Sequence, residues 1–134
     1  MKIRVVLADD HKAFREALRG FLEKDPSIDI VGEASDGSEA MDLVRSVQPD
    51  VAVMDIRMPG VNGIAALLQL AAAHPAVKLI VLSVTAEPIF AAEMLRVGAS
   101  AYVTKANAEE LPRAIHAVMN HRTYLSAEVA APFG

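Results

Sequence analysis

Five short apolar runs alternate with five amphipathic stretches along this 134-residue chain. The runs cover residues 3–8, 28–33, 51–55, 78–83 and 101–104, and Asp, Pro, Gly or Asn residues bound several of them. Short apolar runs bounded by turn residues are typical of buried strands, whereas apolar residues spaced three and four apart are typical of one helix face. We therefore predict an α/β fold in which helices cover both faces of a parallel sheet.

For five such units the predicted architecture is a flavodoxin-like (βα)5 three-layer sandwich, whose parallel five-stranded sheet has the order 2-1-3-4-5. The chain length suits one domain with a substantial core. With 53% apolar and 22% charged residues, the composition excludes a disordered chain. The sequence contains no cysteine, which excludes disulfides, thiolate zinc sites and thiol nucleophiles and fits a reducing cytosol.

Charge and hydropathy exclude two further classes of function. The net charge of -4 and the pI near 5.5 make this chain by itself a poor ligand for DNA phosphates. The apolar run at the N-terminus turns acidic after a few residues, too early for a signal peptide or a membrane span. We therefore expect a cytoplasmic protein that does not contact a membrane.

Several residues predict local structure. Asp36 followed by Glu39 resembles a capping box at the start of the second helix, and Gly98 is expected to end the fourth helix in a left-handed conformation. A turn at residues 58–60 and a cap at Asn62 are expected before the third helix. Pro112 falls about one turn inside a fifth helix that is predicted to begin near Asn107, where it would kink the first turns.

The fourth predicted helix has two competing apolar faces. One contains Phe90, Met94 and Val97, and the other contains Ala91, Met94 and Leu95. Both faces cannot point into the core, so some apolar surface is expected to remain available to a partner.

Polar residues follow four of the five predicted strands at the point where each strand ends. They are Asp9 and Asp10 after the first strand, Asp55 at the third, Ser83 at the fourth and Lys105 after the fifth. In open parallel sheets, ligands bind outside the carboxyl ends of the strands where the strand order reverses. The topology therefore predicts that these side chains converge on one site.

The chemistry of this predicted site follows from its charges. Two carboxylates at ~4 Å repel by about 4 kcal/mol at an effective dielectric constant near 20, so three of them require a cation. Oxygen ligands with room for water suit Mg²⁺, and Lys105 suits an incoming phosphoryl oxygen. Asp55 at the centre is then the predicted nucleophile, and it would form an aspartyl phosphate.

Each residue also has an ordinary interpretation. An aspartate at a strand end is more often a helix cap or a loop acid, and Asp9 and Asp10 would stabilise the start of the first helix. His11 is interpreted as a solvated first-turn residue rather than a metal ligand. Tyr102 is either a strand residue or a movable ring. Only the convergence of several strand ends favours a functional site.

The chain resembles the response-regulator receiver domain of bacterial two-component systems, and within that family the NarL/FixJ (LuxR-type) subfamily. The resemblance covers residues 2–130, and five separated segments carry it in the family's order. These segments are Asp9-Asp10-His11, residues 54–63, Leu82-Ser83, residues 98–102 and Lys105.

The resemblance implies an input function. Asp55 would accept a phosphoryl group from a phosphohistidine on a sensor histidine kinase. Asp10, Asp55 and the backbone carbonyl of Arg57 would bind the cofactor Mg²⁺ directly, and Asp9 would help through water. Lys105 would contact the phosphoryl group. The protein would not be an enzyme beyond weak self-phosphatase activity.

The resemblance also implies an output. Ser83 would contact the phosphoryl group and form a switch pair with Tyr102, whose ring moves inward and repacks the face made by helix four, strand five and helix five. Homodimerisation on phosphorylation is expected, with DNA bound only through a downstream helix-turn-helix domain. Residues 1–122 would form the receiver, and residues 123–134 would begin a linker toward that output domain.

Two alternatives remain open. The chain would otherwise act as a stand-alone receiver, through protein contacts or as a phosphate sink, or less readily as a Mg²⁺-dependent phosphohydrolase. The sequence departs from many receivers at Ala106, where they have proline after the lysine. We nevertheless expect the Lys105–Ala106 bond to be cis, at a cost of about 3 kcal/mol.

Overall fold

The computed structural model describes residues 2–57 and 63–130. The predicted turn at residues 58–60 and the predicted Asn62 cap lie outside the described residues. Strands and helices alternate as the sequence predicts. The elements are β1 (Ile3–Ala8), α1 (Lys12–Leu22), β2 (Ile28–Ala34), α2 (Gly37–Val47), β3 (Val51–Asp55), α3 (Gly63–Ala73), β4 (Lys78–Ser83), α4 (Pro88–Arg96), β5 (Ala101–Thr104), a 3₁₀ helix (Lys105–Glu110), α5 (Leu111–Met119), β6 (Tyr124–Leu125) and α6 (Ala127–Ala130).

The sheet is parallel throughout and has the strand order β2-β1-β3-β4-β5-β6. The predicted order of the first five strands is confirmed. A sixth strand was not predicted: Tyr124 and Leu125 pair with Ala101 and Tyr102 of β5. The residues expected to begin a linker therefore include one strand and one short helix of the folded domain, and their role as a linker stays a prediction.

The helices form one layer on each face of the sheet. Buried residues of α2, α3 and α4 pack with alternate strand residues such as Val6 and Ala8, and those of α1 and α5 pack with the intervening ones such as Val5 and Leu7. All five residues of β3 are buried, as expected of the central strand of a sheet that is covered on both sides. This arrangement is the predicted three-layer sandwich. Among the described residues, no helix has the length and apolar character that crossing a membrane requires.

The predicted helix ends are confirmed at two positions. Asp36 caps α2, since its Oδ1 accepts the backbone N–H of Glu39 at 2.7 Å. The Glu39 carboxylate accepts the backbone N–H of Ser35 at 3.1 Å, one residue before the partner expected in a capping box. Gly98 follows α4 with φ +131°, and a Cβ there would lie 2.7 Å from that of Ala71, so both conformation and space favour glycine.

Two predictions about the chain after β5 are wrong. Pro112 does not interrupt a helix, because residues 105–110 form 3₁₀ turns that are interrupted at Asn107 (φ -120°, ψ 38°), and α5 begins only at Leu111. Pro112 thus lies in the first helical turn, where no backbone hydrogen bond is lost. The Lys105–Ala106 bond is trans. A cis bond before a residue other than proline costs about 3–4 kcal/mol, and Lys105 reaches Asp55 with a trans bond, without that cost.

The face of α4 that contains Ala91 and Met94 is the one in the core, because both residues are fully buried. Phe90 is half-buried and packs edge-on against the ring of Tyr102, with ring centroids 6.1 Å apart. Apolar surface does remain, as expected. Ile89, which neither predicted face contained, is the large apolar residue of α4 with the highest exposure, 81% of its surface.

A polar cluster of Asp25, Ser27 and His116 joins α5 to the turn before β2. The Ser27 hydroxyl donates to Asp25 Oδ1 at 2.5 Å, and His116 Nε2 lies 3.0 Å from Asp25 Oδ2 and 3.1 Å from Ser27 Oγ. Hydrogen bonds from the Ser27 side chain and backbone, followed by the contact with His116, lower the pKa of Asp25 to about 2.

We expect this cluster to contribute to the free energy of unfolding by an amount that changes with pH in the acidic range. Asp25→Asn is expected to lower the free energy of unfolding near neutral pH by on the order of 1 kcal/mol, because solvent screens this partly exposed site. The folded pKa is below the unfolded value of 3.8, so the stabilisation is complete above that value and is lost as the pH falls toward about 2. Urea denaturation across this pH range measures the difference. Asp29→Asn, at an exposed position of β2, is the control. If the difference in free energy of unfolding between the wild-type protein and Asp25→Asn did not change with pH, the lowered pKa of Asp25 would not explain it.

Candidate functional site

A lysine and two buried aspartates meet at the carboxyl edge of the sheet. Asp9 follows β1, Asp55 ends β3 and Lys105 follows β5. Lys105 Nζ lies 2.8 Å from Asp9 Oδ2 and 2.9 Å from Asp55 Oδ2. The two aspartates are 1% and 3% exposed. Because β1 and β3 are neighbours in register, with Ala8 opposite Met54, the predicted convergence of their strand ends occurs.

The remaining carboxylate oxygens are directed by backbone groups. Asp9 Oδ1 accepts the N–H of His11 at 2.8 Å, and Asp55 Oδ1 accepts the N–H of Arg57 at 2.8 Å. Asp9 Oδ2 is buried, and its partner within the described part of the chain is the ammonium of Lys105, which it shares with Asp55. Two buried carboxylates that share one ammonium keep a net negative charge, which favours additional cationic charge at the site.

Lys105 is held as an ammonium ion between the two acids. Burial lowers the pKa of Lys105, but hydrogen bonds and charge interactions with Asp9 and Asp55 outweigh that effect and raise the pKa above its usual value. The ammonium group also lies 4.8 Å from the ring centre of Phe14 on α1, a cation–π contact that the sequence did not indicate. The lysine is therefore a fixed positive charge beside Asp55.

The acid cluster could accommodate a small divalent cation. One ligand atom from each of Asp9, Asp10, His11 and Asp55 lies within 4.8 Å of the others. Carboxylate oxygens suit Mg²⁺, and a single ammonium does not balance three carboxylates, so the residues fit this ion. The His11 side chain is 70% exposed, in agreement with a solvated residue, although its Nδ1 lies 3.3 Å from Asp10 Oδ1. The role of the Arg57 carbonyl stays a prediction.

Ser83 and Tyr102 lie on β4 and β5, the two strands that follow β3 in the sheet. Ser83 is buried at the end of β4, and its hydroxyl accepts the N–H of Thr85 at 3.2 Å. The Tyr102 ring is fully buried, and its hydroxyl donates to the Thr85 carbonyl at 2.7 Å. Burial raises the pKa of Tyr102 above its usual value. Thr85 thus connects the two residues through its backbone N–H and carbonyl.

The C-terminal segment is tied to the strand that carries Tyr102. Thr104 donates its N–H to Ser126 Oγ at 2.9 Å, and Ser126 donates its N–H to the Tyr102 carbonyl at 2.9 Å. The Thr104 hydroxyl is also hydrogen-bonded to Glu128, and Val129 is fully buried. Sequence reasoning missed the contacts of Ser126 and Glu128 because isolated polar residues have no periodicity that would predict them. The segment of residues 124–130 is therefore hydrogen-bonded to β5, the strand that directly precedes Lys105.

Comparison with known proteins identifies the family. The sequence model of the response regulator receiver domain matches residues 5–116. The transcriptional regulatory protein DegU of Brevibacillus brevis is 37% identical over 129 residues, which cover 96% of this chain and 55% of DegU. The response regulator GacA of Pseudomonas viridiflava is 35% identical over 129 residues. The chain spans little more than half the length of these relatives, 55% of DegU and 60% of GacA.

Solved structures agree with this assignment. A LuxR-family two-component response regulator from an Aurantimonas species superposes with a TM-score of 0.92 at 35% identity, covering 98% of this chain and 94% of that one. The signal receiver domain of the putative response regulator NarL from Mycobacterium tuberculosis has a TM-score of 0.84 at 33% identity, covering 90% and 98%. With the fold, the acid–lysine site and both comparisons in agreement, the chain belongs to the response regulator receiver domains of two-component systems, within their NarL/LuxR group.

Proposed function

We propose that Asp55 accepts a phosphoryl group from a phosphohistidine of a sensor histidine kinase in the cytoplasm. The observation that carries this proposal is the buried Asp55 carboxylate, which ends the central strand with the ammonium of Lys105 2.9 Å from one oxygen. Asp10, Asp55 and the Arg57 carbonyl would bind Mg²⁺ directly, and Asp9 would act through water. Mg²⁺ would offset the negative charge of the carboxylates and of the transferred group.

The chemical step is a displacement at phosphorus. A carboxylate oxygen of Asp55 forms the new P–O bond while the P–N bond of the phosphohistidine breaks. The leaving imidazole nitrogen keeps the electron pair of that bond and takes up a proton. Lys105 already neutralises charge beside Asp55, so its ammonium is placed to contact an oxygen of the incoming group.

The proposed output is a change of the face made by α4, β5 and α5. Ser83 would turn its hydroxyl from Thr85 to the phosphoryl group, and the buried ring position of Tyr102 would be stabilised. Homodimerisation, and DNA binding by a downstream helix-turn-helix domain, would follow. Beryllofluoride is a stand-in for the phosphoryl group. If it changed neither the NMR signals around Tyr102 nor the sedimentation coefficient, this switch would be refuted.

Two alternatives have weaker support. A stand-alone receiver that acts through protein contacts or as a phosphate sink would share the same site, and the coding sequence after residue 134 distinguishes it from a transcription factor. A Mg²⁺-dependent phosphohydrolase is disfavoured because the acids Asp9 and Asp10 are adjacent rather than spaced by one residue. Beyond weak self-phosphatase activity we expect no enzyme turnover, which a phosphate-release assay with an exogenous phosphoester would test.

The proposal predicts a covalent modification that depends on one residue. Incubation with Mg²⁺ and a small phosphodonor is expected to add one phosphoryl group to the wild-type protein, measured as intact mass. Asp55→Asn is expected to abolish this gain because the amide is a poor nucleophile. Asp42→Asn removes an exposed acid on α2 and serves as the control. An equal mass gain in Asp55→Asn, or none in the wild-type protein, contradicts the proposal.

A further inference from the structure

Arg15 on α1 contacts the backbone of the acid pair that follows β1. Its Nη1 donates to the carbonyl oxygen of Asp9 at 2.5 Å, and its Nε donates to Glu33 Oε1 on β2 at 2.8 Å. The Arg15 side chain is 13% exposed and that of Glu33 is 22% exposed. A planar guanidinium held by a carboxylate at one edge presents its other donors in a fixed direction. Arg15 is therefore a rigid link between β2 and the backbone at the end of β1.

The Asp9 carbonyl is part of the peptide that joins Asp9 to Asp10. The other polar groups of Asp9 are held separately: its N–H donates to the Ala34 carbonyl, its Oδ1 accepts the His11 N–H, and its Oδ2 faces Lys105. Orientation of the peptide plane after Asp9 thus depends on the guanidinium. That plane fixes the position of the Asp10 Cα, and so constrains the point from which the exposed Asp10 side chain extends.

We infer that Arg15 is a positioning residue for the Mg²⁺ site, which fixes the Asp9–Asp10 peptide so that Asp10 faces Asp55. This inference rests on the proposed binding of Mg²⁺ by Asp10 and Asp55. Arg15 touches neither carboxylate group, so it acts through the backbone. Partners that orient metal ligands in this way typically change metal affinity by 10–100-fold when they are removed.

A role in positioning and a role as a nearby charge predict opposite results. If Arg15 acted only through its positive charge, removing it would reduce repulsion of the divalent cation and strengthen Mg²⁺ binding. If it orients the peptide, removing it weakens binding even though a cation has been lost. The sign of the change in affinity therefore distinguishes the two roles.

Arg19 offers a matched comparison within the same helix. Its Nη1 donates to the other oxygen of Glu33, Oε2, at 2.5 Å, and its side chain is 38% exposed. Hydrogen bonds with Glu33 also raise the pKa of Arg19, against a smaller opposing effect of burial. Arg19 thus shares the charge and the Glu33 partner of Arg15, whereas the contact with the Asp9 carbonyl is made by Arg15.

The test compares Arg15→Met with Arg19→Met, since methionine keeps much of the apolar stem in both. Titration of each protein with Mg²⁺ alone, followed through the amide NMR signal of Asp10, gives the dissociation constant. We expect Arg15→Met to bind Mg²⁺ about tenfold or more weakly than wild type, and Arg19→Met to stay within about twofold. The Asp10 amide shift in the metal-free proteins should likewise change in Arg15→Met alone.

Equal effects of the two variants, or tighter binding by Arg15→Met, would overturn the inference. If Arg15→Met does not fold, Arg15→Lys is compared with Arg19→Lys by the same criterion. A lysine ammonium cannot span the Asp9 carbonyl and Glu33 as the guanidinium does, so weaker Mg²⁺ binding is again expected only at position 15. Absence of Mg²⁺ binding by the wild-type protein would instead reject the proposed metal site itself.

Discussion

Replacing Lys105 with methionine is expected to lower the free energy of unfolding of the metal-free protein by about 3 kcal/mol. The ammonium lies within 2.9 Å of carboxylate oxygens of Asp9 and Asp55, and both acids are almost fully buried. Removing one partner from a buried ion pair leaves uncompensated charge, which typically costs 3–5 kcal/mol, and Lys105 is 14% exposed, which favours the lower end of that range. Urea denaturation in the presence of a chelator measures this loss.

Mg²⁺ is expected to recover most of that loss. A cation bound by the same carboxylates replaces the missing positive charge, and a ligand at one hundred times its dissociation constant stabilises the folded state by about 2.7 kcal/mol. The variant should therefore gain more from Mg²⁺ than the wild-type protein, in which Lys105 competes for the same oxygens. Lys12→Met is the control, because that side chain is 78% exposed and pairs with Glu16. If Mg²⁺ left the stability loss of Lys105→Met unchanged, lost packing rather than lost charge would explain that loss.

Ending the chain at Arg122 is expected to lower the free energy of unfolding by about 2 kcal/mol. The shortened chain loses the burial of Val129, typically about 1.5–3 kcal/mol for a valine side chain, and the pairing of β6 with β5. It also loses the Tyr124 hydroxyl, which donates to the buried Glu110 carboxylate at 2.5 Å. The conformational entropy regained by residues 124–130 offsets part of these losses.

Thermal unfolding followed by circular dichroism compares the shortened and full chains. Ala127→Ser changes an exposed position of the same segment without removing a buried contact, and we expect it to match the wild-type protein. Burial raises the pKa of Tyr124 to about 12, with the Glu110 hydrogen bond adding to it, so the phenol stays a donor throughout the physiological range. Wild-type stability in the shortened chain would show that residues 123–134 are a linker and make no contribution to the domain.

The order of the strands and the meeting of Asp9, Asp55 and Lys105 were predictable from the sequence. Apolar runs determine which residues form strands, and the parallel topology places all their carboxyl ends at one edge. A polar residue at each end must then share that edge with the others. The arrangement follows from connectivity and needs no knowledge of side-chain packing.

The C-terminal contacts and the geometry after β5 were not predictable in this way. A two-residue strand such as β6 has no periodicity, and the hydrogen-bond partners that β5 supplies to the buried Ser126 lie more than twenty residues earlier in the sequence. The hydrogen bond between Arg15 and Glu33 joins residues 18 apart in the sequence. It was not predictable because an arginine in a helix is ordinarily expected on the solvent-exposed face. The cis bond before Ala106 was expected because of the resemblance to receivers that have proline at this position. The trans bond agrees with the energetic cost of a cis bond before a residue other than proline.

The central claim is that Asp55, rather than one of the other acids of the site, carries the phosphoryl group. The direct measurement is to phosphorylate the protein with a small phosphodonor and Mg²⁺, reduce the acyl phosphate with borohydride, and locate the product by peptide mass spectrometry. We predict that the reduced residue, a homoserine, appears at position 55 and depends on Mg²⁺. Its appearance at Asp9 or Asp10, or its absence from all three positions, would contradict the account.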